Sequence, residues 1–217
     1  MDAGATDNST PPTAYVVEDD DSIRTLWRWL MESNAIPVRT FTSATEFIEG
    51  YSPHAPGCLV LDLHLPGMNG LELQEYLNKR GIDIPIVFVT AHGDVRTAVT
   101  AIKGGAVDFI EKPFSYRQVV SIIEKAFQRD AENRERRARQ GQAASRIAAL
   151  TEREKAVLQR VIGGKQNKVI ADELDISVKT VEFHRSKLME KMGVNSVAEL
   201  VQLTLGFSLM DASGPDR

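Results

Sequence analysis

The 217-residue sequence predicts a doubly wound α/β domain followed by a small all-α domain. Three observations carry that expectation. Five short, apolar, β-branched runs alternate with segments of helical period as far as about residue 128, residues 129–146 then lose almost all apolar character, and from Leu150 onward the pattern is helical only.

Ala14 to Val17, Val38 to Phe41, Cys58 to Leu61, Ile86 to Val89 and Val107 to Ile110 read as strands. Their near-continuous apolar character suits parallel strands covered on both faces. Ile23, Leu26, Trp27 and Leu30 mark a first helix, and Ala44 to Ile48 a weaker second. Leu71, Leu73 and Leu77 mark the third, Val95, Val99 and Ile102 the fourth, and Val119, Ile122, Ile123 and Phe127 the fifth. Asp21 or Ser22 is expected to cap the first helix, with Asp19 and Asp20 as turn or cap residues. Five such β/α units form one domain over 14–128, and right-handed crossovers bring all the strand ends to one edge. Residues 129–149, rich in Ala, Arg, Glu and Gln, read as a charged helical linker.

Beyond the linker, LTEREKAVLQRVIGG reads as a helix capped by Thr151, with Glu154 completing a capping box and Gly163-Gly164 ending it. NKVIADEL follows as a short helix, Asp175 to Ser177 as a tight connection, and VKTVEFHRSKLMEKMG as a longer helix with Ser177 as its cap. This is the helix-turn-helix pattern, within a domain spanning 150–210. A fourth helix, SVAELVQLTLGFSL, is apolar enough to form part of an interface. On the long helix, Val178, Val181, Leu188 and Met192 fall on one stripe at about 100° per residue, and Lys179, Glu182, Phe183, Ser186 and Lys187 point the other way. Phe183 suits a thymine methyl, Glu182 a base amine, and the lysines phosphates. A three-helix protein-binding module with a solvated face is the blander alternative.

Composition narrows the class. Hydrophobic residues make up 42% of the chain, enough for an ordinary core, and no run approaches the roughly 18 apolar residues of a membrane span. The N-terminus lacks the basic-then-apolar order of a signal peptide, so a cytoplasmic protein with no membrane partner is expected, with disordered tails at 1–13 and 211–217. Cys58 is the sole cysteine, which excludes an intramolecular disulfide, and it reads as a small buried residue. The four histidines, at 54, 64, 92 and 184, lack the pairing of a metal site. Acid is concentrated early: residues 14–128 carry 10 basic and 15 acidic side chains, against 9 and 8 in 150–210.

Chemistry is gathered at the strand ends. Glu18-Asp19, Asp62, Thr90 and Lys112-Pro113 follow four different apolar runs, and in a doubly wound sheet they converge. Taken singly, each has a plainer reading as a cap, a turn or a solvated lysine. Together they make a pocket of crowded acids that repel one another unless a cation sits among them, and Mg²⁺ suits such a set. Asp62, alone at the end of the central run, is the candidate nucleophile toward phosphorus. The Thr90 hydroxyl and the Lys112 ammonium can each meet a phosphoryl oxygen. The Lys112-Pro113 bond is a candidate for the cis form.

VVEDDDSIR, LVLDLHLPGMNG, VFVTAHGD and GAVDFIEKPF resemble the successive motifs of the receiver domain of two-component response regulators, a flavodoxin-like fold. LTEREKAVL, NKVIADEL and SVKTVEFHRSKLMEKMGV resemble the LuxR-type effector domain, and the two together resemble the NarL/FixJ family. The resemblance implies that a sensor histidine kinase donates phosphate to Asp62, that Glu18 and Asp19 bind Mg²⁺, that Thr90 and Lys112 contact the phosphoryl group, and that Phe109 is the switch aromatic. It also implies DNA binding as a dimer through Lys179, Thr180, Glu182, Phe183, Ser186 and Lys187, with His184 and Arg185 holding the backbone. Two departures stand out: Glu18 where Asp is usual, and Leu65 where Met is usual. Two other readings remain compatible with the sequence. One is an aspartate-nucleophile phosphohydrolase, although His64 stands where such enzymes place a second acid; the other is a phosphorylation-independent DNA-binding regulator or adaptor.

Overall fold

The strands form where β-branched runs meet. In a computed structural model that describes residues 10–91 and 94–204, β1 (Thr13–Val17), β2 (Val38–Phe41), β3 (Gly57–Leu61), β4 (Ile86–Thr90) and β5 (Asp108–Glu111) build one parallel sheet in the order β2-β1-β3-β4-β5. β1, β3 and β4 are buried along nearly their whole length, as their unbroken apolar sequences require. Strand order reverses between β1 and β3, so the ends of these two strands flank the crevice in which doubly wound sheets place ligands.

Alternate residues of each strand feed two cores. Tyr15, Val17, Leu59, Leu61 and Phe88 pack with Phe47 of α2 (Ala44–Gly50), Leu73 and Leu77 of α3 (Gly70–Lys79) and Ala101 of α4 (Val95–Lys103). Val16, Val60, Val87 and Val89 pack with Trp27, Leu30 and Met31 of α1 (Asp21–Ser33) and Val119 and Ile123 of α5 (Tyr116–Ala148). Cys58 is buried in this second core, where desolvation pushes its thiol far above its usual range.

The chain divides into units Met1–Arg134 and Glu135–Arg217, passing from one to the other within α5. The second unit has its own core: Ile147 and Leu150 pack with Val157, Leu158 and Val161 of α6 (Glu152–Ile162), Ile170 of α7 (Asn167–Leu174), Val181, Leu188 and Met192 of α8 (Val178–Met192) and Leu200 of α9 (Val197–Thr204). The Thr151–Glu154 capping box and the Ser177 cap both form. Asp175 adopts the left-handed conformation, φ 52°, that turns α7 into α8. Among the described residues no helix is long and apolar enough to cross a membrane.

Four expectations need correction or completion. Of the candidate caps for α1, it is Asp20 whose carboxylate accepts the N–H of Ile23, as its reading as a cap residue allowed, and not Asp21 or Ser22, because the last extended residue before the helix is Asp20. β5 starts one residue later than expected, at Asp108, although the Val107 N–H still donates to Ile86 O. Val178 lies on the apolar stripe of α8 but is exposed, since it is the helix's first residue and the core begins at Val181. The fourth helix of the second unit is described only to Thr204; its expected end, like most of 1–13 and all of 211–217, lies outside the described residues.

Candidate functional site

The backbone places the pocket before any side chain is considered. Glu18 and Asp62 each lie one residue past β1 and β3, Thr90 ends β4, and Lys112 follows β5 with its N–H donated to Thr90 O at 2.8 Å. The Lys112-Pro113 bond is cis. Lys112 Nζ donates to Glu18 Oε2 at 2.8 Å and to Asp62 Oδ2 at 3.0 Å, joining residues 94 and 50 positions away in the sequence. The other Asp62 oxygen, Oδ1, accepts the N–H of His64 at 3.0 Å. Thr90 and Glu18 are buried, Asp62 is 8% exposed, and Asp19 opens to solvent.

One ammonium between two carboxylates leaves a net negative charge in a half-buried space. Burial raises the carboxyl of Glu18 above its usual range; Lys112 opposes this, and the charge of Asp62 adds to it. Burial alone would lower the ammonium of Lys112, but its hydrogen bonds to Glu18 and Asp62 outweigh that and hold it protonated, above the usual lysine range. Among the described residues no three His, Cys, Asp or Glu side chains gather closely enough to form a ready-made metal cage. The donor chemistry nonetheless fits Mg²⁺, which takes one or two carboxylates and fills its remaining positions with water and phosphate.

Phe109 sits on β5, half-buried, its ring tilted 31° to that of Phe88 with centroids 6.1 Å apart. Thr90 lies on the neighbouring strand, where it pairs with Glu111, two residues beyond Phe109.

A residue that sequence reasoning missed lies beneath the acids. Arg24 of α1 is buried, and Nη1 donates to the carbonyls of Glu18 at 2.8 Å and Asp19 at 2.6 Å, while Nη2 donates to Asp21 Oδ1 at 3.0 Å. An arginine three residues into a helix reads as part of a solvated face, and no local signal marks it otherwise.

In the second unit, α8 presents Lys179, Glu182, Phe183, Ser186 and Lys187 to solvent, with Phe183 59% exposed. Thr180 and Arg185 are engaged within the fold: the Thr180 hydroxyl meets Ser177 Oγ at 2.7 Å, and Arg185 Nη1 donates to Asn167 Oδ1 at 2.5 Å, pinning α8 to the start of α7. His184 lies edge-on to Phe183, centroids 5.7 Å apart. Lys187 is paired with Glu190 at 2.8 Å. The apolar residues of α4 that mark it as amphipathic also face water: Val95 is 82% exposed, Val99 46% and Ile102 47%.

Comparison with known proteins covers both units. The response regulator receiver domain family matches residues 14–124, and the family of bacterial regulatory proteins of the luxR type matches 148–204. The chain is 40% identical to the transcriptional regulatory protein FixJ of Azorhizobium caulinodans over 191 residues, 88% of this chain and 90% of that protein. It is 40% identical to nodulation protein W of Bradyrhizobium diazoefficiens over 207 residues, 94% and 91% of the two chains. Among solved structures, the response regulator StyR aligns with a TM-score of 0.79 at 45% identity, covering 91% of this chain and all of the other. Full-length FixJ from B. japonicum aligns with a TM-score of 0.55 at 38% identity, covering 91% and 97%.

Proposed function

This chain belongs to the NarL/FixJ family of two-component response regulators, and from that membership we propose that Asp62 is its phosphoacceptor, with Glu18, Asp19, Thr90 and Lys112 serving the transfer. The protein is a phosphorylation-dependent transcriptional regulator whose two domains imply a sensor kinase and DNA as partners. The observation that carries the residue assignments is the Lys112 ammonium lodged between Glu18 and Asp62.

In the proposed transfer, an Asp62 carboxylate oxygen bonds to phosphorus as the bond from phosphorus to the kinase's histidine nitrogen breaks. Glu18, Asp19 and Asp62 would hold Mg²⁺, which when bound supplies positive charge to the phosphoryl oxygens. Lys112, already protonated, exchanges its carboxylate partner for a phosphoryl oxygen, and the Thr90 hydroxyl donates to another. Movement of Thr90 frees space that the Phe109 ring can fill, and the shift biases the surface formed by α4, β5 and α5 toward a second phosphorylated copy. The exposed stripe Val95, Val99 and Ile102 supports that surface as the dimer contact. On DNA, Lys179, Glu182, Phe183, Ser186 and Lys187 enter the major groove, while Thr180, His184 and Arg185 set the pose of α8. Work in the cytoplasm, with no turnover beyond slow loss of the protein's own aspartyl phosphate, completes the proposal.

Asp62→Asn tests it. The variant should unfold as the wild type does yet take no label from a small acyl phosphate; equal labelling of the two proteins would overturn the assignment of Asp62.

A further inference from the structure

The geometry points to Arg24 as a positioning residue that sets the metal affinity of the pocket, an inference resting on the reading of Glu18 and Asp19 given above. β1 stops at Val17, and α1 does not open until its cap, Asp20. Glu18 and Asp19 are the two residues between, past the end of the strand and short of the helix. The Glu18 N–H is held by Phe41 O at 3.1 Å. Its carbonyl, and that of Asp19, are both taken by Nη1 of Arg24 at 2.8 and 2.6 Å, and Nη2 binds the carboxylate of Asp21 at 3.0 Å. The Arg24 N–H also donates to Asp20 O at 2.9 Å, so the side chain folds back from the first turn of α1 over the loop that precedes it.

Arg24 occupies the buried stripe of α1 with Trp27 and Met31, at positions i, i+3 and i+7, where an apolar side chain would pack with no charge to desolvate. The guanidinium is accommodated there because three acceptors meet it. Since the side chain and carbonyl of a residue branch from one Cα, holding the carbonyls of Glu18 and Asp19 limits the directions of their Cα–Cβ bonds, and so the range over which their carboxylates can swing. The buried positive charge also offsets repulsion among Glu18, Asp19 and Asp21. A planar fork that spans three acceptors is specific to arginine; a lysine ammonium supplies the charge from one point and cannot hold both carbonyls and the carboxylate in the same way.

Mg²⁺ alone, titrated calorimetrically into the unphosphorylated full-length chain, tests this in the wild type and in Arg24→Met, Arg24→Lys and Arg28→Met. Arg28 lies on the same helix, bonds the Thr40 hydroxyl and has no contact with the acidic loop among its hydrogen bonds, which makes it the matched control. Losing a group that orients metal ligands weakens metal affinity by about tenfold or more. Arg24→Met is expected to show that loss, Arg24→Lys a smaller one, and Arg28→Met none. Should Arg24→Met fail to fold, the lysine variant decides. A purely structural role would lower the metal-free melting temperature and leave the dissociation constant at the wild-type value; that result overturns the inference. Full affinity in Arg24→Lys alongside weak binding in Arg24→Met would also overturn it, by showing that charge suffices without the fork. A wild-type chain that takes up no Mg²⁺ would bring down the reading of the pocket itself, and the role of Arg24 with it.

Discussion

The placement of Asp62 depends on a residue that carries no chemistry. Gly70 opens α3 directly beneath the loop that carries Asp62, the proposed phosphoacceptor, its N–H donated to Leu63 O at 3.0 Å. A Cβ there would lie 2.5 Å from the carbonyl oxygen of Asp62 and 2.9 Å from the ring of Phe88. The first is backbone and the second belongs to a fully buried ring, so neither can yield without moving α3 or β3. Gly67, in the same loop, has φ 77° and open space around it, so Ala there meets backbone strain alone. Gly70→Ala should therefore destabilise the first domain by roughly 1–3 kcal/mol, as overpacked cores do. It should also slow acyl phosphate labelling of Asp62, while Gly67→Ala, costing about 1 kcal/mol, should label at nearly the wild-type rate. Denaturant midpoints and labelling time courses check both halves, and equal behaviour of the two variants would show that crowding at Gly70 does not hold Asp62 in place.

At the scale of elements, caps were legible in the sequence because they are local. Thr151 with Glu154, and Ser177, lie within three residues of the N–H groups they satisfy. What a pattern of period 3.6 omits is how far the neighbouring elements extend: Val178 and the α4 stripe show the right period and yet face water. The convergence of Glu18, Asp62, Thr90 and Lys112 was readable from strand ends, but the reach of Lys112 to Glu18 and the backbone grip of Arg24 depend on side-chain directions that spacing does not encode. Glu154 shows the same division. Its cap to Thr151 is a sequence signal, whereas its ion pair to Lys191 of α8 at 2.6 Å joins two residues 37 positions apart. The Lys191 ammonium, and then the Thr151 N–H, hold the Glu154 carboxyl below the usual carboxylate range. A carboxyl depressed in the fold contributes stability above its unfolded value and loses it as pH falls through the folded one. Hydrogen-exchange protection of α6 and α8 should accordingly drop in acid, below the usual carboxylate range. Glu154→Gln keeps the capping box, because Gln serves equally at that position, but loses the ion pair to Lys191; it should lower that protection by roughly 0.5–1 kcal/mol at neutral pH and flatten its acid dependence, and a variant with the wild-type acid profile would remove Glu154 as the titrating group.

For the whole molecule, phosphorylation at one end of a sheet has to alter binding through a separate domain, and assembly offers a direct route. The DNA-binding unit carries 9 basic and 8 acidic side chains over 150–210, so general attraction to the phosphate backbone is weak and a single copy has little to hold it on a promoter. Two linked copies gain effective concentration instead, which raises apparent affinity by about 100-fold or more without any new DNA contact. The surface proposed for this linkage is the α4 stripe, where Val95, Val99 and Ile102 stand at i, i+4 and i+7. Val99 is its middle member and is not part of the sheet-facing core. Val99→Glu places a charge in the centre of that contact, where pairing would have to bury it. The variant should fold normally, accept phosphate on Asp62 at the wild-type rate, and sediment as a monomer whether phosphorylated or not. Its phosphorylated form should bind promoter DNA about 100-fold more weakly than the phosphorylated wild type, while the unphosphorylated forms bind alike. A phosphorylated Val99→Glu chain that still sediments as a dimer would move the interface away from α4, and one that stays monomeric yet binds DNA at full strength would show that control passes from the receiver to α8 without dimerisation.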